Sequence, residues 1–389
     1  MLRYKITALA LGLTLFIAGC DDSTPEEEAL VDAPYAQVKN GELIPDQYIV
    51  VLKDGTTVQA YMGTQLGKAA KDLVHTYAGS RGFQGFAAKM TAEQASAYAQ
   101  DPKVAYVEQD RWFVLSDAAN AAGNPSSVTA VAAQSTPWGI TRVGGAANGA
   151  GLRACVLDTG VNVSHPDLVV DTQNSKTFVA KGKDARDVED GNGHGTHVAG
   201  TIAAKNDANG VVGVAAGATI VAIKVLNSQG SGSTSDIVAA LNYVASKGTA
   251  LCAAANMSLG GGISTALDNA VTAAAATGVK FALAAGNESA NANTSSPGRV
   301  NATNVITIAA TDSADKLATF SNYSASIVDW AEPGVSILST WKNGAYNTIS
   351  GTSMATPHAT GLLLLGGPRS DGRQSSADPQ GAKYYIGVR

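Results

Sequence analysis

Past Pro137 the chain alternates short, almost wholly apolar runs with segments whose apolar residues recur every three or four positions. The runs RACVLD (153–158), TIVAIKVL (219–226), LCAAANMSL (251–259), KFALAAGN (280–287) and VITIAAT (305–311) read as strands buried on both faces, because apolar residues do not alternate with polar ones. Between them, SDIVAALNYVASKG sets Ile237, Leu241 and Val244 on one helical face and closes on Gly248. STALDNAVTAAAATG does the same with Leu267, Val271 and Gly278. Strands and helices in alternation predict an α/β fold with a mainly parallel central sheet and helices on both faces.

Upstream the pattern changes. In MLRYKITALALGLTLFIAGC, Arg3 and Lys5 precede an apolar run from Ile6 to Ala18, the layout of an export signal and too short for a membrane span. Ile17-Ala18-Gly19-Cys20 resembles a bacterial lipobox, so residues 1–20 are expected to be a signal peptide that leaves a lipid on Cys20. Residues 21–45 are acidic and lack an apolar period, as a solvated linker does. Within 46–115, YIVVLK and VAYVEQD read as strands and TAEQASAYAQ as an amphipathic helix, a small α+β module. Residues 116–134, rich in small side chains, form a second linker before the large domain at 135–365.

A net charge of -5 gives no electrostatic basis for binding nucleic acid. After Cys20 only Cys155 and Cys252 remain, both in apolar runs, and they are expected to be buried free thiols.

Three short runs place a reactive side chain beside glycine at the end of an element. Asp158 closes RACVLD and precedes Thr159-Gly160, so its carboxylate belongs at the carboxyl edge of the sheet, where open α/β sheets bind ligands. DGNGHGTHVAGT sets His194 between glycines at the mouth of an apolar helix. His197 follows three residues on, but no acidic residue follows at zincin spacing, and it reads as a packed helix histidine. SGTSMATPH starts a helix at Ser353, where free backbone N–H groups favour developing negative charge. The order Asp158, His194, Ser353 is one of the known orders of an Asp-His-Ser triad.

VLDTGV, GHGTHVAG and SGTSMATPH together resemble the subtilisin-like serine proteases, and the linking sequence is most similar to the proteinase K branch. The resemblance implies a subtilisin-like fold and a serine endopeptidase with Ser353 as nucleophile, His194 as base and Asp158 as its orienting acid. It makes Asn287, in AAGNES, the side-chain donor of the oxyanion hole. Ser258, Leu259, Gly260 and Gly261 with Ala285 and Gly286 become the walls of the substrate cleft, and the substrate is expected to pair with Ser258–Gly261 as an added strand. Small walls imply large apolar or aromatic P1 residues. Catalysis needs no cofactor. A structural calcium is expected on Asp329 with the carbonyls of Thr303 and Val305.

By the same resemblance the module at 46–115 is an inhibitory propeptide, to be removed by a cut between Ala130 and Ser135. The partners implied are protein or peptide substrates and the chain's own propeptide, with no nucleic acid, and with a membrane only through a lipid on Cys20. The protease is expected to be a monomer, exported, and periplasmic or secreted once freed from a lipid-anchored precursor. A serine-carboxyl peptidase would carry glutamate where His194 stands. The resemblance stops near Gly366. PRSDGRQSSADPQGAKYYIGVR has neither a helical period nor the family's pattern, so residues 366–389 read as a truncated or out-of-frame tail that would leave the helix behind Ser353 short of packing partners. The alternative that follows is a catalytically impaired relative acting as a binding or inhibitor module.

Overall fold

The computed structural model describes residues 38–64, 67, 70–80, 83–115 and 133–389; the signal segment with Cys20, most of the acidic linker and residues 116–132 lie outside them. The N-terminal module consists of β1 (Leu43–Leu52), α1 (Val58–Met62), β2 (Asp72–Ser80), β3 (Phe83–Lys89), α2 (Ala92–Ala99) and β4 (Val104–Val114). All three of its β-pairings are antiparallel, with β1 between β3 and β4 and β2 on the far side of β3. Thr91 and Gln94 form a reciprocal capping box at the start of α2, which explains why TAEQASAYAQ enters a helix there.

In the large domain the expected strands appear as β5 (Arg153–Asp158), β6 (Thr219–Lys224), then β7 (Ser231–Ser233), β8 (Ala254–Met257), β9 (Lys280–Ala284), β10 (Val305–Thr311) and β11 (Val328–Pro333). Of these, β6, β5, β8, β9, β10 and β11 lie side by side, every pairing parallel. Helices α3 (Trp138–Arg142), α4 (His194–Ala203), α5 (Thr234–Lys247), α6 (Thr265–Ala275) and α7 (Thr352–Leu364) pack around the sheet. Strand periodicity decides which face each helix covers. Cys155 and Leu157 of β5 pack with Ile237, Leu241, Val244, Leu267 and Val271 of α5 and α6. Ala154 and Val156 pack on the opposite side with Val198, Ala199 and Ile202 of α4 and with Met354 of α7.

Two expectations are corrected. Cys155 and Cys252 are bonded to each other across 97 residues of sequence, not free. Both are fully buried, and parallel pairing of β5 with β8 brings their backbones together. A cross-link over so long a loop restricts the unfolded chain, so a Cys155→Ala/Cys252→Ala variant is expected to lose about 2–5 kcal/mol, read by chemical denaturation against the parent.

The expected loss of packing behind Ser353 is the second correction. After the antiparallel pair β12 (Ile337–Trp341) and β13 (Ala345–Ile349), β14 (Arg369–Gln374) and β15 (Tyr385–Val388) form an antiparallel hairpin, and β15 adds to the main sheet beside β11 through Ala331 and Ile386. Ile386 and Tyr384 are buried, the Tyr384 hydroxyl accepts from the Ser324 N–H and donates to Asp378, and the Arg389 N–H donates to the Val143 carbonyl. Helix α7 ends in two left-handed glycines, Gly366 and Gly367, with the Gly367 N–H closing on the Leu362 carbonyl. Leu362 and Leu364 remain buried, so the helix behind Ser353 keeps its packing.

Candidate active site

Asp158 and His194 arrive from different elements. The end of β5 carries Asp158, fully buried, and the first residue of α4 is His194, 2% exposed. Glycines let the two approach: a Cβ on Gly195 would fall 2.1 Å from the Gly160 carbonyl oxygen, and Gly193 (φ 115°) turns the chain into the helix against the ring of Trp341. His194 Nδ1 donates to Asp158 Oδ1 at 2.8 Å. Burial alone would push the imidazole pKa down, but the charge and hydrogen bond of Asp158, with the charge of Asp190 added, hold it above its ordinary 6.5. His197, one turn on, is fully buried, donates from Nε2 to the Ile337 carbonyl at 2.9 Å and is kept neutral, its pKa pushed down to about 3 by burial.

Ser353 is the second residue of α7 and is 8% exposed. Pro357 lacks the N–H that would bond the Ser353 carbonyl one turn back. That carbonyl accepts from the Ser258 hydroxyl at 2.8 Å, which in turn accepts from Asn256 Nδ2 at 2.8 Å. Ser353 Oγ donates to the Ser258 carbonyl at 3.2 Å. Asn287 stands beside the same helix start, its Oδ1 accepting from the N–H (2.8 Å) and hydroxyl (2.9 Å) of Thr352. That anchor turns Nδ2 toward Gly351, 3.6 Å from where a Cβ on that residue would sit. The Gly286 N–H donates to Thr352 Oγ1 at 3.2 Å, which ties the 284–287 strand end to α7. The structure thus brings Asp158 to His194, and Asn287, Ser258 and Gly286 to the helix start that carries Ser353, each from distant parts of the chain.

The cleft is filled by the chain itself. β4 runs antiparallel to β7, pairing Trp112, Phe113 and Val114 with Ser233, Gly232 and Ser231, and the Leu115 N–H continues the ladder to the Gly230 carbonyl at 2.9 Å. Ser231–Ser233 is thus an edge that pairs with the chain's own strand, which sequence reasoning missed; its only signal is the small-residue run GSGS before α5. The expected edge, Ser258–Gly261, makes a different contact: a Cβ on Gly261 would lie 2.8 Å from the Phe113 ring, while Gly261 exchanges backbone bonds with Ser296. Leu259 is buried in the core shared with Phe113, the Gly260 carbonyl accepts from Asn40 Nδ2, and the Ala285 carbonyl accepts from Asn322 Nδ2. Period-2 geometry puts Glu108 and Asp110 of β4 on one face. Their carboxylates accept from the Ala266 and Ser235 N–H groups at 3.1 Å each, in the first turns of α6 and α5.

The expected calcium residues come together only in part. Asp329 Oδ2 accepts from the Thr307 N–H at 2.8 Å, and its pKa is raised by burial. Val305 begins β10 and Thr303 lies in the turn before it. A richer set of oxygens lies elsewhere. Gln134 Nε2 reaches the carbonyls of Lys205 (2.8 Å), Asn209 (3.3 Å) and Val211 (3.5 Å). Beside them, Asp167 is 3% exposed, its Oδ2 accepting from the Val211 N–H while Oδ1 has no partner among the described residues. Burial, with the charge of Asp207 added, pushes Asp167 up to about 6.

Comparison with known proteins agrees with this geometry. The subtilase family model matches residues 149–366, and the peptidase inhibitor I9 model matches 47–115. Alkaline serine exoprotease A of Vibrio alginolyticus is 39% identical over 343 residues, 83% of this chain and 60% of that protein. The extracellular serine proteinase of Thermus sp. (strain Rt41A) is 37% identical over 394 residues, 92% of this chain and 88% of that one. The crystal structure of a cold adapted subtilisin-like serine proteinase is 41% identical and covers 61% of this chain and 85% of its own, with a TM-score of 0.52. The chain belongs to the subtilase family of serine endopeptidases, on its proteinase K-like side, and carries an I9 inhibitor segment ahead of the peptidase.

Proposed function

We propose that the chain is the self-processing precursor of an exported serine endopeptidase in which Ser353, His194 and Asp158 form the triad. One observation carries this reading: the chain's own strand lies antiparallel in the cleft and runs toward the triad. Moving from Ser233 to Gly230 along the edge leads to Ser228, whose carbonyl accepts from Asn192, two residues before His194. In the reaction the Ser353 hydroxyl turns from the Ser258 carbonyl to His194 Nε2 and attacks the scissile carbonyl. His194 takes the proton and passes it to the leaving amine, while Asp158 holds the imidazole in the tautomer that bonds through Nδ1. The oxyanion is met by Asn287 Nδ2 and the Ser353 N–H. The packed tail favours this reading over an impaired binding module.

The ladder carries the chain along this edge as far as Leu115, the last residue described before 133, and the first self-cut is expected beyond it, no later than Ser135. The mature enzyme is expected to act as a monomer outside the cytoplasm, freed from any lipid on Cys20. Phe113, 1% exposed beside Gly261, supports an apolar subsite upstream of the cut, and the small walls at Ser258–Gly261 and Ala285–Gly286 support apolar and aromatic preference at P1. A p-nitroanilide series with Phe, Leu, Arg and Glu at P1 is expected to give the highest kcat/KM for Phe or Leu; a clear preference for Arg removes the specificity.

For calcium we favour the ring at Gln134. Three carbonyls, the amide oxygen of Gln134 after a flip and the nearby Asp167 carboxylate would supply the oxygen ligands that a hard cation takes. The Asp329 group offers one carboxylate and the two expected carbonyls of Thr303 and Val305. Chelation is expected to lower the Tm by several degrees and calcium to restore it, with Asp167→Asn insensitive to both. The same shift in Asp167→Asn as in the parent would exclude this location.

A further inference from the structure

The acid–base pair is tied together by groups outside the triad. Asp190 is 3% exposed and accepts five hydrogen bonds. Its Oδ1 takes the Thr159 hydroxyl (2.9 Å) and the N–H groups of Asn192 (3.0 Å) and Gly193 (2.8 Å). Its Oδ2 takes the N–H (2.9 Å) and hydroxyl (2.6 Å) of Thr196. Thr159 directly follows Asp158 and donates its N–H to Asp158 Oδ1 at 2.7 Å. The Thr159 hydroxyl oxygen accepts from the N–H of Gly195, the neighbour of His194, at 2.9 Å. One hydroxyl therefore joins the strand end that carries Asp158 to the helix start that carries His194, and Asp190 orients that hydroxyl. Burying a carboxylate costs several kcal/mol unless it is fully bonded. A neutral serine or threonine would cap α4 without that cost. What the carboxylate adds is a fixed negative charge beside the imidazole.

We propose that Asp190, acting through Thr159, is a positioning residue that holds Asp158 and His194 in register and stabilises the imidazolium formed when His194 takes the Ser353 proton. The inference rests on the triad reading above. The proton travels only from Ser353 Oγ to His194 Nε2 and on to the leaving amine. The charged and titratable groups around His194 are Asp158 and Asp190, which favour its protonation, and the neutral His197 on the same helix. Behind Thr159, Lys224 donates to the Thr159 carbonyl and pairs with Asp184 at 3.0 Å.

The test compares Asp190→Asn, Thr159→Val and Thr159→Ser in the full precursor, with maturation followed by intact mass, folding by Tm, and kcat and KM measured across pH. Asp190→Asn is expected to lower kcat about 10- to 100-fold, leave KM within about twofold and move the acid limb of kcat/KM to lower pH. Thr159→Val removes the bridge but no charge, so kcat falls with the acid limb in place, and Thr159→Ser restores kcat. A folded Asp190→Asn enzyme whose acid limb does not move overturns the proposal. So does Thr159→Val with kcat within about twofold of the parent, which decides the matter if Asp190→Asn fails to fold. Activity persisting in Ser353→Ala would instead remove the triad reading itself.

Discussion

The Ser353→Ala precursor is expected to stay full length and to lose kcat by about 10⁶, a size carried over from subtilisin, a relative. The loss is this large because no neighbour can replace the hydroxyl. Met354 is fully buried, and the Thr352 hydroxyl is spent on Asn287. The substitution removes one hydrogen bond, Ser353 to Ser258, and leaves the α7 start intact because the Ser258 hydroxyl still donates to the residue 353 carbonyl. The Tm should therefore change little, which separates lost chemistry from lost folding. Intact mass of the parent should show a cut between Leu115 and Ser135, absent in the variant.

Asp158→Asn carries the second largest effect, about 10⁴ in kcat with KM little changed. Asparagine keeps the shape, but its amide presents a donor or an acceptor to Nδ1 without charge, so the imidazole is no longer fixed in the tautomer that leaves Nε2 free to accept. The pH profile should change in a defined direction. His194 must be neutral to act as base, and in the parent its pKa is raised by the Asp158 charge and hydrogen bond against the lowering effect of burial. Parent activity should therefore fall away above pH 6.5 as the medium is acidified, and removal of the Asp158 charge should carry that limb to lower pH. A limb that stays in place would assign the titration to another group.

The large elements were legible in the sequence because burial on both faces writes near-continuous apolar runs, and amphipathic helices write a 3.6-residue period. β5, β10, α5 and α6 fall within a residue or two of the expected positions, apart from the C-terminal end of α6. The three triad runs were legible because each sits at an element end beside glycine. What was missed lacks such a signature. Ser231–Ser233 works through backbone groups and needs only small side chains. The carbonyl ring around Gln134 is likewise backbone chemistry, and its one buried carboxylate, Asp167, lies far away in sequence. The Cys155–Cys252 bond depends on two strands being neighbours, which spacing along the chain does not state. β14 is exposed at every position, so it has no apolar alternation to read, and Tyr384 and Ile386 are the buried hydrophobic side chains that anchor the tail among the described residues.

Labelling with a radioactive organofluorophosphonate tests the central claim most directly, because such reagents phosphonylate a serine only where a general base activates it and an oxyanion hole receives the developing charge. Peptide mapping of the matured enzyme should place one label per chain, on Ser353, with the rate of labelling falling as His194 protonates and the label absent from His194→Ala that has been matured in trans by the parent enzyme. A label on any other serine, or equal labelling of Ser353 in His194→Ala, would contradict the account.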